Sequence, residues 1–163
     1  MRRPNIDEYM MNILRVVATR ATCARRRVGA VITDEKGHIL ATGYNGVPSG
    51  FPHCTDTPCA GAGDQPGDNT KCCAVHAETN AILQAGDRIA KATRMYCSAT
   101  PCFSCAKLLI GTPIKVVIAE QLYADRAGLS LLNRGHITVF IAERNPDGSV
   151  SLNVYLEGEH SGK

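Results

Sequence analysis

The sequence predicts an α/β protein, in which helices pack on the faces of a mixed β-sheet. An amphipathic segment opens the chain, a hairpin pattern follows, and strand-like runs then alternate with helix-like runs. A hairpin followed by such alternation is typical of a mixed sheet covered by helices. The 163 residues are enough for one domain with its own core. We therefore expect a single domain over 1–163, with a cysteine-rich insert at about 46–73.

A helix and a hairpin are predicted for the first part of the chain. In the segment IDEYMMNILRVVATRAT, residues 6–22, apolar residues recur at helical spacing and acidic residues occupy the first turn. Two strand-like runs at 28–33 and 38–44 flank a polar turn at 35–37. That arrangement predicts an antiparallel pair of strands.

The second half of the chain alternates between helix and strand patterns. Helices are predicted at 74–86, 101–112 and 122–135, and the last two end near Gly111 and Gly135. Strands are predicted at 94–100, 114–120 and 136–142, and the tail segment 148–158 has the pattern of an added edge strand.

Composition and charge exclude several classes of protein. Hydrophobic residues make up 44% and charged residues 20%, which is typical of a globular chain. No apolar run approaches the roughly 20 residues of a membrane helix, and Asp7 and Glu8 interrupt any signal-peptide pattern. We expect a cytoplasmic protein with no membrane partner. The net charge of +3 is too small to indicate a stable nucleic-acid partner.

Eight cysteines are unusual for a chain in a reducing compartment. Without a signal peptide, disulfides are not expected, and metal binding becomes the leading interpretation. Cys97, in the strand-like run RMYCSA, is expected to be a small buried hydrophobe instead. Residues 46–73 contain four of the cysteines among Gly, Pro and Asp, and a loop of this length is usually functional or cross-linked.

Three residues form a candidate metal site: His76, Cys102 and Cys105. The sequence PCFSC places two cysteines at the start of a predicted helix, where both sulfurs lie on one face. A helix N-terminus favours the thiolates that metals require. Three protein ligands leave the fourth tetrahedral position open, which is typical of a catalytic zinc site.

Glu78 follows His76 by two positions, so on a helix the two side chains point to different sides. It is therefore a poor metal ligand but a suitable carboxylate for proton transfer. Cys-x-x-Cys alone is compatible with a redox motif or a closed structural zinc site, and His-Ala-Glu alone is common by chance. Together the pattern His-x-Glu…Pro-Cys-x-x-Cys is the signature of zinc nucleobase deaminases.

Four segments resemble the deoxycytidylate (dCMP) deaminases of the zinc-dependent cytidine/deoxycytidylate deaminase family. They are VGAVI at 28–32, GYNGVPSG at 43–50, HAETNAI at 76–82 and TPCFSCAKLLI at 100–110. The zinc core is shared with cytidine, cytosine, guanine and tRNA-adenosine deaminases, and the GYNG-x-P-x-G run favours the dCMP branch. The resemblance implies a cytidine deaminase-like three-layer fold, with a five-stranded mixed sheet and helices on both faces.

The same resemblance implies hydrolysis of dCMP to dUMP and ammonia, which supplies dUMP for dTTP synthesis. Hydroxide on the zinc would attack C4 of the pyrimidine, and Glu78 would protonate N3 and then the departing amine. The Ala77 backbone would contact the region of the exocyclic amine. Asn45 is the candidate for the sugar, although Asn before Gly also suits a turn with positive φ.

The substrate phosphate needs a cationic partner. Among Arg25, Arg26 and Arg27 we choose Arg26, although surface arginine clusters are usually only solvated. Tyr123, just after the fourth strand, is a second candidate for substrate contact.

Regulation is implied by the resemblance alone. Many proteins of this type are hexamers that dCTP activates and dTTP inhibits, with Mg²⁺ as a possible companion of the triphosphate. The residues implicated in this regulation are Gly43, Tyr44, Asn45 and Gly46. We expect a homo-oligomer.

Some relatives carry a second, structural zinc in the inserted loop. By resemblance its ligands here would be Cys23, Cys54, Cys59 and Cys72. Cys73 is an alternative to Cys72, and His53 competes with Cys59. A zinc ion would order a polar loop that cannot bury enough apolar surface by itself.

Two other functions remain open at this level. The chain could deaminate another cytosine nucleotide or nucleoside, or a tRNA adenosine. It could also be a zinc-stabilised nucleic-acid-binding module, which the acidic Glu78 beside the metal, the open ligand position and the modest charge disfavour.

Overall fold

The computed structural model describes residues 2–65 and 68–155 and contains one mixed sheet in the order β2-β1-β3-β4-β5-β6. Neighbouring strands β3, β4 and β5 run parallel, and the other pairs are antiparallel. The strands are β1 (Gly29–Thr33), β2 (Ile39–Tyr44), β3 (Arg94–Cys97), β4 (Val116–Ala119), β5 (Thr138–Arg144) and β6 (Val150–Val154). The helices are α1 (Ile6–Ala18), α2 (Ala77–Ala85), α3 (Phe103–Ile110) and α4 (Ala127–Arg134), with a 3₁₀ turn at Gly86–Lys91.

The α/β class and the mixed sheet are confirmed, but the expected count of five strands is wrong. The tail forms β6, which pairs antiparallel with β5 and makes a sixth strand. A short turn joins the two, because the Asn145 amide donates to the Ser149 carbonyl and Gly148 takes a φ of 83°. The tail pattern did indicate an edge strand, but its residues 156–158 lie outside the described residues.

Helix α1 covers one face of the sheet. Asn5 and Glu8 form a capping box at its start, which fixes its first turn. Met10, Met11 and Leu14 are almost completely buried, and they pack against alternate residues of the central strands. The helix ends at Ala18, four residues before the predicted end at 22.

The other three helices cover the opposite face. Alanines on the buried side of α2 let its backbone approach the sheet closely. The approach is tight at Gly43, where a Cβ would overlap the Ala77 carbonyl and the Ala81 amide of α2. Leu109 of α3 and Leu132 of α4 complete this core. The N-terminus of α2 is therefore fixed at the end of β2.

The described part of residues 47–74 contains neither a helix nor a strand of the sheet. A bridge between Gly46 and Val75 joins the two ends of this segment. The Thr55 amide also donates to the Thr22 carbonyl, which ties the segment to the chain that precedes β1. Every described helix is too short or too polar to cross a bilayer.

Candidate active site

Two helix N-termini bring the three candidate metal ligands together. His76 is the N-cap of α2 and Cys102 is the N-cap of α3. The sulfurs of Cys102 and Cys105 each lie 3.4 Å from Nδ1 of His76, and the three ligand atoms lie within 4.8 Å of one another. One imidazole nitrogen and two thiol sulfurs are a donor set that suits Zn²⁺.

The hydrogen bonds within this group favour the thiolate form of Cys102, whereas the bond with Cys102 raises the pKa of the Cys105 thiol. A hydrogen bond with the Cys105 thiol and another with His76 lower the pKa of Cys102. The hydrogen bond with Cys102 raises the pKa of His76. The Cys102 thiolate that zinc requires is thus stabilised by its neighbours. The residues present therefore fit the metal.

Glu78 lies in the first turn of α2 and is only 5% exposed. Burial raises the pKa of this carboxyl, and the hydrogen bond from its own backbone amide, the nearby His76 and a hydrogen bond with the Cys105 thiol partly offset that effect. Its oxygens are not part of the group of ligand atoms within 4.8 Å. Glu78 is therefore next to the metal ligands without being one, which is the position of a group that moves protons.

A cavity of about 450 Å³ opens onto these residues. His76, Ala77, Glu78 and Cys102 line it together with residues from the cysteine-rich segment. Its volume is within the usual range for small-molecule sites. Polar and charged side chains of other parts of the chain also line the cavity, among them Arg25, Arg26, Asn45, Asn69, Thr100 and Tyr123.

Asn45 lines the cavity, but its side chain also binds the backbone. Its Oδ1 accepts from the Val28 amide at 2.8 Å, and its Nδ2 donates to the Arg26 carbonyl at 2.8 Å. Neither Asn45 nor Gly46 has a positive φ, so the alternative interpretation as a turn with positive φ is wrong. Asn45 fixes the chain that leads into β1.

Arg26 and Tyr123 meet at the cavity. The Arg26 guanidinium lies 5.8 Å from the centroid of the Tyr123 ring, and its Nη2 donates to Oε1 of Gln121 at 3.2 Å. The Tyr123 amide donates to Oγ1 of the buried Thr100 at 2.8 Å. The structure thus brings both predicted substrate residues into the cavity that contains Glu78.

The cavity residues that the sequence reasoning did not assign to the site include Arg25, Asn69 and Thr100. Arg25 donates to the Gln65 carbonyl at 2.8 Å and to the Asp68 carbonyl at 2.7 Å. The run of three arginines marked the region, but the sequence contains no signal that Arg25 turns toward the insert.

The four residues predicted to take part in regulation each have a contact within the chain. Gly43 lies under α2, the Tyr44 carbonyl accepts from Nδ2 of Asn80 at 2.8 Å, and Gly46 bridges to Val75. Asn45 binds backbone groups as described above. Their role in effector binding stays a prediction.

The predicted structural-zinc cysteines are neighbours, although more loosely arranged than the first group. The Cys59 amide donates to the Cys54 sulfur at 3.4 Å. The Cys73 amide, the Gly61 amide and the thiols of Cys54 and Cys72 lower the pKa of Cys59. Among the described residues, only His76, Cys102 and Cys105 bring three candidate ligand atoms within 4.8 Å.

The alternatives for the second zinc site differ in exposure. The side chains of Cys73 and His53 are exposed, whereas Cys23 and Cys54 are buried. Cys72 is half-buried, and it interacts electrostatically with Cys23 and Cys59. The positions favour Cys72 over Cys73. Cys97 is fully buried in β3, as its strand pattern predicts.

Comparisons with known proteins identify the family of this chain. The model of the cytidine and deoxycytidylate deaminase zinc-binding region matches residues 4–121. The deoxycytidylate deaminase of Saccharomyces cerevisiae is 37% identical over 140 residues, which are 84% of this chain and 45% of that protein. The deoxycytidylate deaminase of Mycobacterium phage D29 is 36% identical over 124 residues, which are 72% of this chain and 96% of that protein.

Comparison with solved structures also finds similarity to a dCMP deaminase. The dCMP deaminase of cyanophage S-TIM5 in complex with dCMP and dUMP superposes with a TM-score of 0.65 at 27% identity, over 85% of this chain and 98% of that one. The chain thus spans less than half of the yeast protein and nearly all of the two phage proteins. On its sequence, fold and zinc-ligand set, the chain belongs to the zinc-binding cytidine and deoxycytidylate deaminase family.

Proposed function

We propose that this chain hydrolyses dCMP to dUMP and ammonia and so supplies dUMP for dTTP synthesis. The observation that carries the proposal is that a His-Cys-Cys zinc group and a buried Glu78 share one cavity. The deoxycytidylate deaminases named above support the choice of substrate.

The proposed mechanism divides the work between metal ligands and a proton carrier. His76, Cys102 and Cys105 would hold the zinc, which when bound would make a water molecule a nucleophile near neutral pH. Glu78 takes a proton from the attacking water and delivers it to N3 of the pyrimidine, and then transfers a second proton to the leaving amine. The burial of Glu78 keeps these transfers apart from bulk water.

The rest of the nucleotide would be held by residues of the same cavity. We assign the phosphate to Arg26, with Tyr123 beside it, because the guanidinium lies over the ring at the cavity wall. The Ala77 backbone would contact the exocyclic amine at the start of α2. The Asn45 amide has a second hydrogen beyond the one that it donates to the Arg26 carbonyl, and we assign that hydrogen to the sugar because Asn45 lines the cavity.

We also propose a second, structural zinc ion on Cys23, Cys54, Cys59 and Cys72. Two features support it: the thiols are neighbours, and backbone amides donate to the sulfurs of Cys54 and Cys59. Such amide–sulfur hydrogen bonds stabilise thiolates. Metal binding would draw the four sulfurs closer and order the segment that forms one wall of the cavity.

Several features rest on the family resemblance alone. By that resemblance we propose a cytoplasmic homohexamer that dCTP activates and dTTP inhibits, with Mg²⁺ accompanying the triphosphate. The effectors would act through the segment Gly43–Gly46. We likewise propose that residues 1–163 form one deaminase domain.

A substrate panel tests the proposal. Ammonia release is measured with dCMP, CMP, deoxycytidine, cytosine and a tRNA that carries the target adenosine, with and without dCTP and dTTP. We expect dCMP to have the highest kcat/KM. If another compound has a higher kcat/KM than dCMP, that compound would be the substrate instead of dCMP. Nucleic-acid binding without ammonia release from any of these compounds would overturn deamination itself.

A further inference from the structure

Arg25 connects two walls of the active-site cavity. Its two terminal nitrogens donate to different carbonyls, Nη2 to Gln65 at 2.8 Å and Nη1 to Asp68 at 2.7 Å. These carbonyls belong to the cysteine-rich segment, 40 and 43 positions further along the chain. The planar fork of a guanidinium suits two acceptors at once, which the single ammonium of lysine does not reproduce.

The contacts continue from Arg25 to the proposed phosphate site. Nη1 of Arg25 also lies 3.4 Å from Oδ1 of Asn69. Nδ2 of Asn69 donates to the Tyr123 hydroxyl at 3.2 Å, and Arg26 lies over the Tyr123 ring. All four side chains line the same cavity. A continuous series of side-chain contacts therefore connects Arg25 to Arg26 through Asn69 and Tyr123.

We propose that Arg25 is a positioning residue for the deamination reaction: it holds the backbone at Gln65 and Asp68 and thereby places Asn69 and Tyr123 in the cavity wall. The inference rests on the proposed function, because it concerns the affinity of the same cavity for the nucleotide. Arg25 acts here through its fork of hydrogen bonds rather than through its charge alone.

Replacing Arg25 by Lys separates the effect of its two parallel hydrogen bonds from the effect of its positive charge. Arg25→Lys keeps the positive charge and loses the bidentate geometry, so we expect the KM for dCMP to rise about tenfold, the scale of one lost charged hydrogen bond. The kcat should change less than about twofold, because the zinc ligands and Glu78 are untouched. Zinc content per chain should equal that of the wild type.

Arg27→Ala is the matched control. Arg27 belongs to the same arginine run, is exposed, and does not line the catalytic cavity. We expect its KM for dCMP to stay within about twofold of the wild type. A KM for Arg25→Lys that is equally unchanged would overturn the inference, since charge alone would then suffice.

Asn69→Ala provides the second test, and it decides the matter if Arg25→Lys does not fold. This change removes both side-chain contacts of Asn69 and leaves Arg25 and Tyr123 in place. We expect a raised KM with a nearly unchanged kcat, and an effect that is not additive with that of Arg25→Lys. An unchanged KM, or full additivity in a folded double variant, would contradict the inference. A wild-type protein that does not deaminate dCMP would instead contradict the proposed function.

Discussion

Glu78 is the residue on which the proposed chemistry depends most. It is 5% exposed, lies in the first turn of α2 and contacts Cys105 without joining the group of metal ligands. Burial raises the pKa of this carboxyl, whereas its own backbone amide and the neighbouring His76 favour the carboxylate form. Glu78 is buried next to the three candidate metal ligands, which is the position of a group that transfers protons between water and substrate.

Replacing Glu78 by Gln separates proton transfer from metal binding. We expect Glu78→Gln to bind zinc as the wild type does and to lose about a hundredfold to ten-thousandfold in kcat, the usual contribution of a general acid–base. Zinc is measured by metal analysis and turnover by ammonia release. Glu35→Gln, a substitution in the exposed hairpin turn, serves as the control with unchanged turnover. Normal turnover of Glu78→Gln would refute its role.

The active-site residues differ in how far the sequence could predict them. His76, Glu78, Cys102 and Cys105 lie in two short motifs at helix starts, and the deaminase signature joined these motifs although 26 positions separate His76 from Cys102. The contacts of the missed cavity residues join distant parts of the chain: 43 positions separate Arg25 from Asp68, and 54 separate Asn69 from Tyr123. No local periodicity indicates which side chains meet over such separations.

At the scale of elements, the cysteine-rich segment is the part of the fold least determined by apolar burial. Its ends are joined by the Gly46–Val75 bridge, and its contacts with the rest of the chain are largely polar, as at Arg25. The sequence indicated an unusual loop here, but not how it closes. The proposed second zinc would contribute stability that hydrophobic burial does not provide in this segment.

Cys54→Ser tests that second zinc. We expect metal content to fall from about two to about one per chain, with a lower melting temperature and some remaining activity, because the catalytic ligands are intact. Cys73→Ser should leave metal content unchanged, since Cys73 is exposed. Unchanged metal content in Cys54→Ser would exclude this ligand set. A loss of metal in Cys73→Ser would make Cys73, rather than Cys72, the fourth ligand of the second zinc.

The sheet shows the limits of pattern reasoning at the same scale. Strands β3 and β4 are largely buried, because helices cover both faces of the sheet there. A strand buried on both faces is rich in apolar residues, and that composition predicted these two strands. Strand β6 reads VSLNV and has no fully buried residue, so its sequence alone gives only a weak strand signal. Pairing with β5 decides its structure, and that pairing depends on the turn at Asn145.

At the scale of the whole molecule, Glu8 links the N-terminal segment, α1 and β6. Its carboxylate accepts two hydrogen bonds from Arg2 at 3.0 Å, one from the Asn5 amide at 2.9 Å and one from the Val150 amide at 3.3 Å. The hydrogen bonds with Arg2 are the main reason that the pKa of Glu8 lies below its usual value. The carboxylate form therefore stabilises the folded chain.

The stability that Glu8 provides should depend on pH. Because its pKa is lower in the folded state, the contribution is present above the unfolded pKa of about 4.3 and is lost as the pH falls through the folded value. We expect Glu8→Gln to melt below the wild type at pH 7, with the difference shrinking below about pH 4. Thermal unfolding of both proteins at the two pH values measures this. A constant difference would contradict the assignment.

In the proposed function, the zinc group and Glu78 together deaminate dCMP. The most direct measurement follows dUMP and ammonia in the same reaction, starting from dCMP and the zinc-loaded protein. We expect equal amounts of both products, loss of both after removal of the metal by a chelator, and recovery when Zn²⁺ is added back. Zinc-loaded protein that leaves dCMP unchanged would contradict the proposed function, and so would turnover that persists after complete removal of the metal.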